Sequence, residues 1–111
     1  MPSYKFFTVS ELKSKEIRPG IDLRCVAGEQ TMITFFDFAP DAVVPSHKHP
    51  HEQITYMLKG EMEMTVAGQA KLLKAGDGVV IPGNIEHSAR IITGPAKVLD
   101  AWYPKREDYL L

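Results

Sequence analysis

Three of the chain's four histidines, His47, His49 and His51, fall within five residues, in the stretch Val44 to Gly60; the fourth is His87. A neutral imidazole nitrogen is the commonest protein donor to zinc, nickel, iron and copper. On an extended chain, residues two apart point to the same side, so His47 and His49 can reach one ion. Gln53 has the same parity and brings an amide oxygen. Taken alone, the stretch reads equally as an exposed histidine-rich turn beside Pro45 and Pro50. Pro50 interrupts the run before His51, which therefore reads as a pocket-rim group. Glu52 points away from Gln53 on a regular strand.

Elements that hold such groups in place must come from 111 residues, a length that suits one domain spanning residues 1–111. At 44% hydrophobic and 24% charged, with net charge −1 and no basic run, the chain reads as a globular protein whose partner is not nucleic acid. It has no apolar run of membrane-spanning length. The start, Met-Pro-Ser-Tyr-Lys-Phe-Phe, lacks a signal-peptide core, and the single Cys25 suits a reducing compartment, so a cytoplasmic location is expected. Cys25 reads as a small core residue rather than a nucleophile.

Alternation and β-branched or aromatic content predict strands at residues 6–9, 21–27, 31–38, 53–59, 61–66, 69–74, 79–81, 87–92 and 96–103. Ser10 is expected to cap a brief helical turn. Gly or Pro punctuates the pattern every eight to twelve residues or so, and no long amphipathic helix intervenes. The chain is therefore expected to be an all-β sandwich or barrel. The apolar content of the N-terminal strands exceeds what a small barrel buries easily, which predicts a two-fold homodimer through that half.

The spacing His47-x-His49-x-x-x-Gln53, followed by Gly60, joins a second run: Gly76-Asp77-Gly78-Val79-Val80-Ile81-Pro82-Gly83-Asn84-Ile85-Glu86-His87. Together, over roughly residues 31 to 103, these resemble the two motifs of the cupin superfamily. The resemblance implies a double-stranded β-helix, or jelly-roll barrel, holding one divalent metal ion on His47, His49, Gln53 and His87. Nickel, zinc, manganese and iron all suit these donors. Two positions depart from the pattern: Gln53 stands where an acidic residue is usual, and Asn84 where a glycine is. With three imidazoles and an amide, the ion's double charge is uncompensated. That strengthens it as a Lewis acid and favours an anionic substrate.

On the last strand Val98, Asp100 and Trp102 share a face. A carboxylate between large apolar residues inside a barrel is costly unless used; the alternative turns this face to solvent and packs Leu99 and Ala101 inward. The run Asp100 to Tyr109 and the His-x-His-Pro-His-x-Gln form of the first motif resemble the small cupins of pectin degradation. That resemblance implies a small-molecule substrate, an anionic sugar: a 4,5-unsaturated uronate converted to its linear keto form. It makes Asp100, Trp102 and Arg106 the catalytic candidates, Trp102 replacing a more usual Phe. Asp100 would move protons, and Arg106 offers a planar fork for a carboxylate. A metal-dependent dioxygenase and a non-catalytic sugar- or metal-binding module remain the alternatives.

Overall fold

The computed structural model describes residues 3–110. It contains eight strands in one curled antiparallel sheet: β1 Lys15–Arg18, β2 Ile21–Ala27, β3 Met32–Phe38, β4 Val43–His47, β5 Glu52–Val66, β6 Gln69–Lys74, β7 Gly78–Ile81 and β8 His87–Tyr103. Short 3-10 turns lie at Val9–Glu11 and Glu107–Tyr109. The expected all-β jelly-roll barrel is what forms.

Two long strands make the frame. β5 and β8 pair from Glu52↔Tyr103 to Val66↔His87, with register shifts in the middle. Each then serves two sets of neighbours. The first half of β5 pairs with β7 and the second with β6, while β8 pairs with β4 at its start and with β3 at its end. The bends that let one ladder face two ways sit at glycines. Gly60 has φ +83°, and a Cβ there would lie 2.6 Å from the Thr93 carbonyl oxygen and 2.8 Å from the Ala96 Cβ. At Gly94 a Cβ would lie 2.8 Å from the Pro40 Cα. No side chain fits where the bends pack, and Gly60 also needs the left-handed region that glycine enters freely.

Inward residues of the bent sheet form the core. Ile21, Leu23, Met57, Met62, Ile81 and Val98 are all essentially buried. Spacing is period two within each half of β5, with Met57 before Gly60 and Met62 after it, and the inward parity changes across the register shifts between them.

Some expectations need correcting. Residues 6–9 are not a strand: Phe6 is exposed and Val9 begins the first 3-10 turn, whose preceding residue Thr8 makes no side-chain cap. Ser10 therefore lies within that turn and does not cap it. Residues 53–59 and 61–66 are one strand, as are 87–92 and 96–103, because Gly60 and Gly94 bend the chain without ending the ladder. β1 and β4 were not anticipated as strands. β1 is short and mostly polar, and β4 contains Pro45 within an irregular register.

Gly60→Ala should lower unfolding free energy by about 3 kcal/mol, combining left-handed strain with a close clash. Gly68→Ala, also at positive φ but with open space around it, should cost only about 1 kcal/mol. Urea denaturation of the two variants measures the difference.

Candidate metal centre and active site

The ladder brings the histidines together. His47, the last residue of β4, is the cross-strand partner of His87, the first of β8. His49 follows in the loop, whose position is fixed by two contacts. The Asn84 amide donates to the His49 carbonyl at 2.7 Å. A Cβ on Gly83 would run into the Pro50 carbonyl. Asn84 sits at φ +62°. The departure from glycine is tolerated because Asn is among the few other residues that enter this region. The Ser46 hydroxyl donates to Glu86 at 2.7 Å, a second tie between the two motif segments. The donor nitrogens of His47, His49 and His87 lie within 4.8 Å of one another.

All three rings are oriented in the same way. His47 Nδ1–H donates to the Pro45 carbonyl at 2.9 Å, His49 Nδ1–H to His51 at 3.1 Å and His87 Nδ1–H to Ile85 at 2.8 Å. Each ring therefore directs the lone pair of Nε2 to the shared centre, the arrangement that prepares imidazole for a metal. Burial favours the neutral form of His49 and His87. The His49 pKa is pulled down to about 4, first by desolvation and then by the Arg106 charge, and that of His87 is lowered mainly by desolvation.

A proton count tests whether a cation fits. His49 faces two oxygens, the His51 carbonyl at Nδ1 and the Gln53 Oε1 at 3.1 Å from Nε2. A neutral ring has one proton to give. The Gln53 amide cannot be reversed without loss, because its Nε2–H₂ donates to Thr55 Oγ1 at 2.9 Å and to Asp100 Oδ2 at 3.3 Å. Two acceptors are left facing each other, and the buried His87 Nε2 has no partner among the described residues. A positive ion satisfies all three.

Behind the imidazoles lies a polar row on the inner sheet face. Thr34 pairs with Asp100, which pairs with Thr55; Trp102 pairs with Gln53. Asp100 and Trp102 are buried, whereas Leu99 and Ala101 are half-exposed, so the strand's polar parity points inward. Asp100 Oδ1 has no partner among the described residues. Trp102 Nε1–H donates to Thr34 at 2.9 Å.

Arg106 closes the row from the tail. Its guanidinium lies 4.0 Å from the Tyr109 ring centroid and 5.2 Å from that of Trp102, and its Nε–H donates to Asp108 at 3.0 Å. The buried Nη1 finds no partner among the described residues. His47, Gln53, His87, Asp100, Trp102 and Arg106 line one cavity of about 70 Å³. Glu52 is exposed on the opposite face from Gln53. His51 stands beside the group, its ring 5.5 Å from that of His49 and 6.3 Å from Trp102.

The sequence did not point to Thr34, Thr55, Tyr109 or Arg18. The last three line the cavity. Thr34 and Thr55 were detectable as polar residues in apolar registers of their strands. Arg18 and Tyr109 carried no such signal, because their positions depend on how β1 and the tail fold back over the barrel.

Desolvation lifts the Asp100 carboxyl to about 7, against the hydrogen bond from Thr55 and the charge of Arg106. The folded chain thus holds this proton across a range in which the unfolded chain has lost it. In metal-free protein Asp100 therefore contributes stability below pH 4 that is lost as pH rises toward 7. Asp100→Asn removes this dependence. Its melting temperature relative to wild type should climb from pH 4 to pH 7 and then level, as read by scanning calorimetry in chelator.

Comparison with known proteins agrees with this architecture. The cupin domain family matches residues 34–102. The pectin degradation protein KdgF of Dickeya dadantii (strain 3937) is 29% identical over 108 residues, covering 96% of this chain and 98% of that protein. The structure of KdgF from Halomonas sp. superposes with a TM-score of 0.92 at 31% identity, covering 97% of this chain and all of the other. An RmlC-like cupin from Shewanella frigidimarina NCIMB 400 gives 0.91 at 28% identity, covering 97% of each chain. With the family matched over most of its length and relatives aligned nearly end to end, the chain belongs to the cupin family.

Proposed function

We propose that this chain opens and tautomerises 4,5-unsaturated uronates, the reading its likeness to KdgF, a pectin degradation protein, supports. The carrying observation is the pair of unsatisfied polar atoms in residues of one cavity, Asp100 Oδ1 and Arg106 Nη1, beside three clustered imidazoles. His47, His49, His87 and Gln53 would hold one divalent transition metal ion. When bound, that ion supplies Lewis acidity toward the sugar's oxygens.

The reaction is an isomerisation and needs no co-reactant. The hemiacetal hydroxyl loses its proton, the C1–O5 bond breaks with its electrons passing to O5, and C1 becomes an aldehyde. The resulting C5 enol becomes a ketone as C4 gains a proton. Asp100 can accept and return a proton near neutral pH, since burial brings its affinity into that range. Gln53 and Thr55 orient its carboxyl through the hydrogen-bonded row. Arg106, packed against Trp102 and Tyr109 and anchored by Asp108, offers its free N–H to the uronate carboxylate. Trp102 forms an apolar wall against which the sugar ring is positioned.

Metal content comes first among the tests. Elemental analysis should find most metal lost from His47→Ala, His49→Ala and His87→Ala, and retained by His51→Ala. Gly83→Ala should lose it too, because the added methyl displaces the Pro50 carbonyl and with it His49. Equal loss from His51→Ala would assign the wrong histidine.

Activity is followed as ultraviolet loss of the conjugated double bond, corrected for spontaneous conversion. Asp100→Asn should keep its metal and lose turnover by about a hundredfold to ten-thousandfold. Arg106→Ala should chiefly raise KM, since carboxylate binding is common to ground and transition states. A wild-type rate in Asp100→Asn would remove Asp100 from the chemistry.

A further inference from the structure

A side-chain amide has two ends of opposite polarity and nearly the same shape. A carboxylate at position 53 would turn an oxygen to the imidazoles in either orientation. Gln53 turns an oxygen there in one orientation and an N–H₂ group in the other. The amide therefore carries a requirement that an acidic residue would not: something must fix which way it lies.

Thr55 is placed to do this. Two residues along β5, it shares the inward parity of Gln53 and is only 1% exposed. Its backbone is held on both sides, by Asp100 on β8 and by Val79 on β7. A Cβ on Gly78 would run into its carbonyl. Branching at Cβ restricts its χ1. The hydroxyl has one proton, and that proton goes to Asp100. Its lone pairs are left to accept from Gln53 Nε2–H₂, at 2.9 Å. The direction of these bonds passes along the row and leaves Gln53 Oε1 toward the imidazoles, 3.1 Å from His49 Nε2. Asp100 Oδ2 accepts from the same amide nitrogen at 3.3 Å, a longer contact that leaves Thr55 the principal hold. Reversal would set the amide oxygen against the Asp100 carboxyl and the N–H₂ group toward the centre. Gln53 is buried, so water does not offset that loss.

We infer that Thr55 is a positioning residue for the metal: its hydroxyl, by accepting from Gln53, keeps the amide oxygen turned to the ion and so sets the affinity of the site. The inference rests on the reading of Gln53 as a ligand. Thr34 supplies the control. It is the other fully buried threonine of the row, but its hydroxyl takes the Trp102 Nε1–H and makes no hydrogen bond to Gln53 among the described residues.

Cobalt(II) binding to the full chain, followed by chelator competition and by visible absorption, tests the assignment. Thr55→Val keeps the shape and removes the hydroxyl. It should weaken cobalt binding about tenfold to a hundredfold and change the absorption spectrum, because the group facing the ion at position 53 changes. Thr55→Ser should restore both, and Thr34→Val should leave both at wild-type values. In a Gln53→Glu background either end of the side chain offers oxygen, so Thr55→Val should lose most of its effect there. Circular dichroism checks that each variant is folded; should Thr55→Val fail to fold, Thr55→Ala carries the same comparison. An equal effect of Thr55→Val in both backgrounds overturns the inference. So does a Gln53→Leu variant that loses affinity while Thr55→Val keeps it. Wild-type cobalt binding by Gln53→Leu would instead remove Gln53 from the ligands, and the inference with it.

Discussion

Pairing between β5 and β8 is the interaction on which the molecule rests. Register alone places Gln53 opposite Trp102, Thr55 opposite Asp100 and Val66 opposite His87. Because both strands bend, at Gly60 and Gly94, a single ladder supplies two walls of the barrel, and the site lies in the space between them. The bends are steric solutions. Gly60 packs on Thr93 and Ala96 so closely that no Cβ can enter, and the curvature that encloses the cavity follows from that approach.

Inside this frame the electrostatics have one theme, a shortage of negative charge. Burial favours the neutral form of His49 and His87, Gln53 contributes a dipole where an acidic residue would contribute a charge, and Arg106 packs against two aromatic rings. Asp100 is the one buried carboxylate among the described residues, and its burial favours the protonated form. Such a pocket is arranged to receive negative charge. For the anionic sugar proposed above, the unpaired Nη1 of Arg106 is a donor that need not first give up another partner.

Much of this was legible because its signals are local. The histidine spacing, the turn residues of the second motif and the alternation through Val98, Asp100 and Trp102 each report on backbone conformation within a few residues. Strand ends at Gly60 and Gly94 were misjudged for the same reason, since glycine marks a turn and a bend alike, and only the partner strand distinguishes them. β1 escaped notice because an edge strand need not alternate cleanly: Lys15, Glu16 and Arg18 are exposed and Ile17 alone packs on the core. The Arg106 stack was beyond sequence reasoning in physical detail, because it joins Trp102 on β8 to Tyr109 in the final turn.

A single parity choice links the site to the surface behind it. Along β3, β8 and β5, Thr34, Asp100 and Thr55 face inward, and their chain neighbours Ile33, Ala101 and Ile54 face outward. A slip of one residue would exchange the two sets, leaving the carboxylate in solvent and aliphatic side chains at the imidazoles. Register is therefore specified from both sides of the sheet. The inner face is fixed by polar groups that must meet one another, and the outer face by apolar groups that gain when covered.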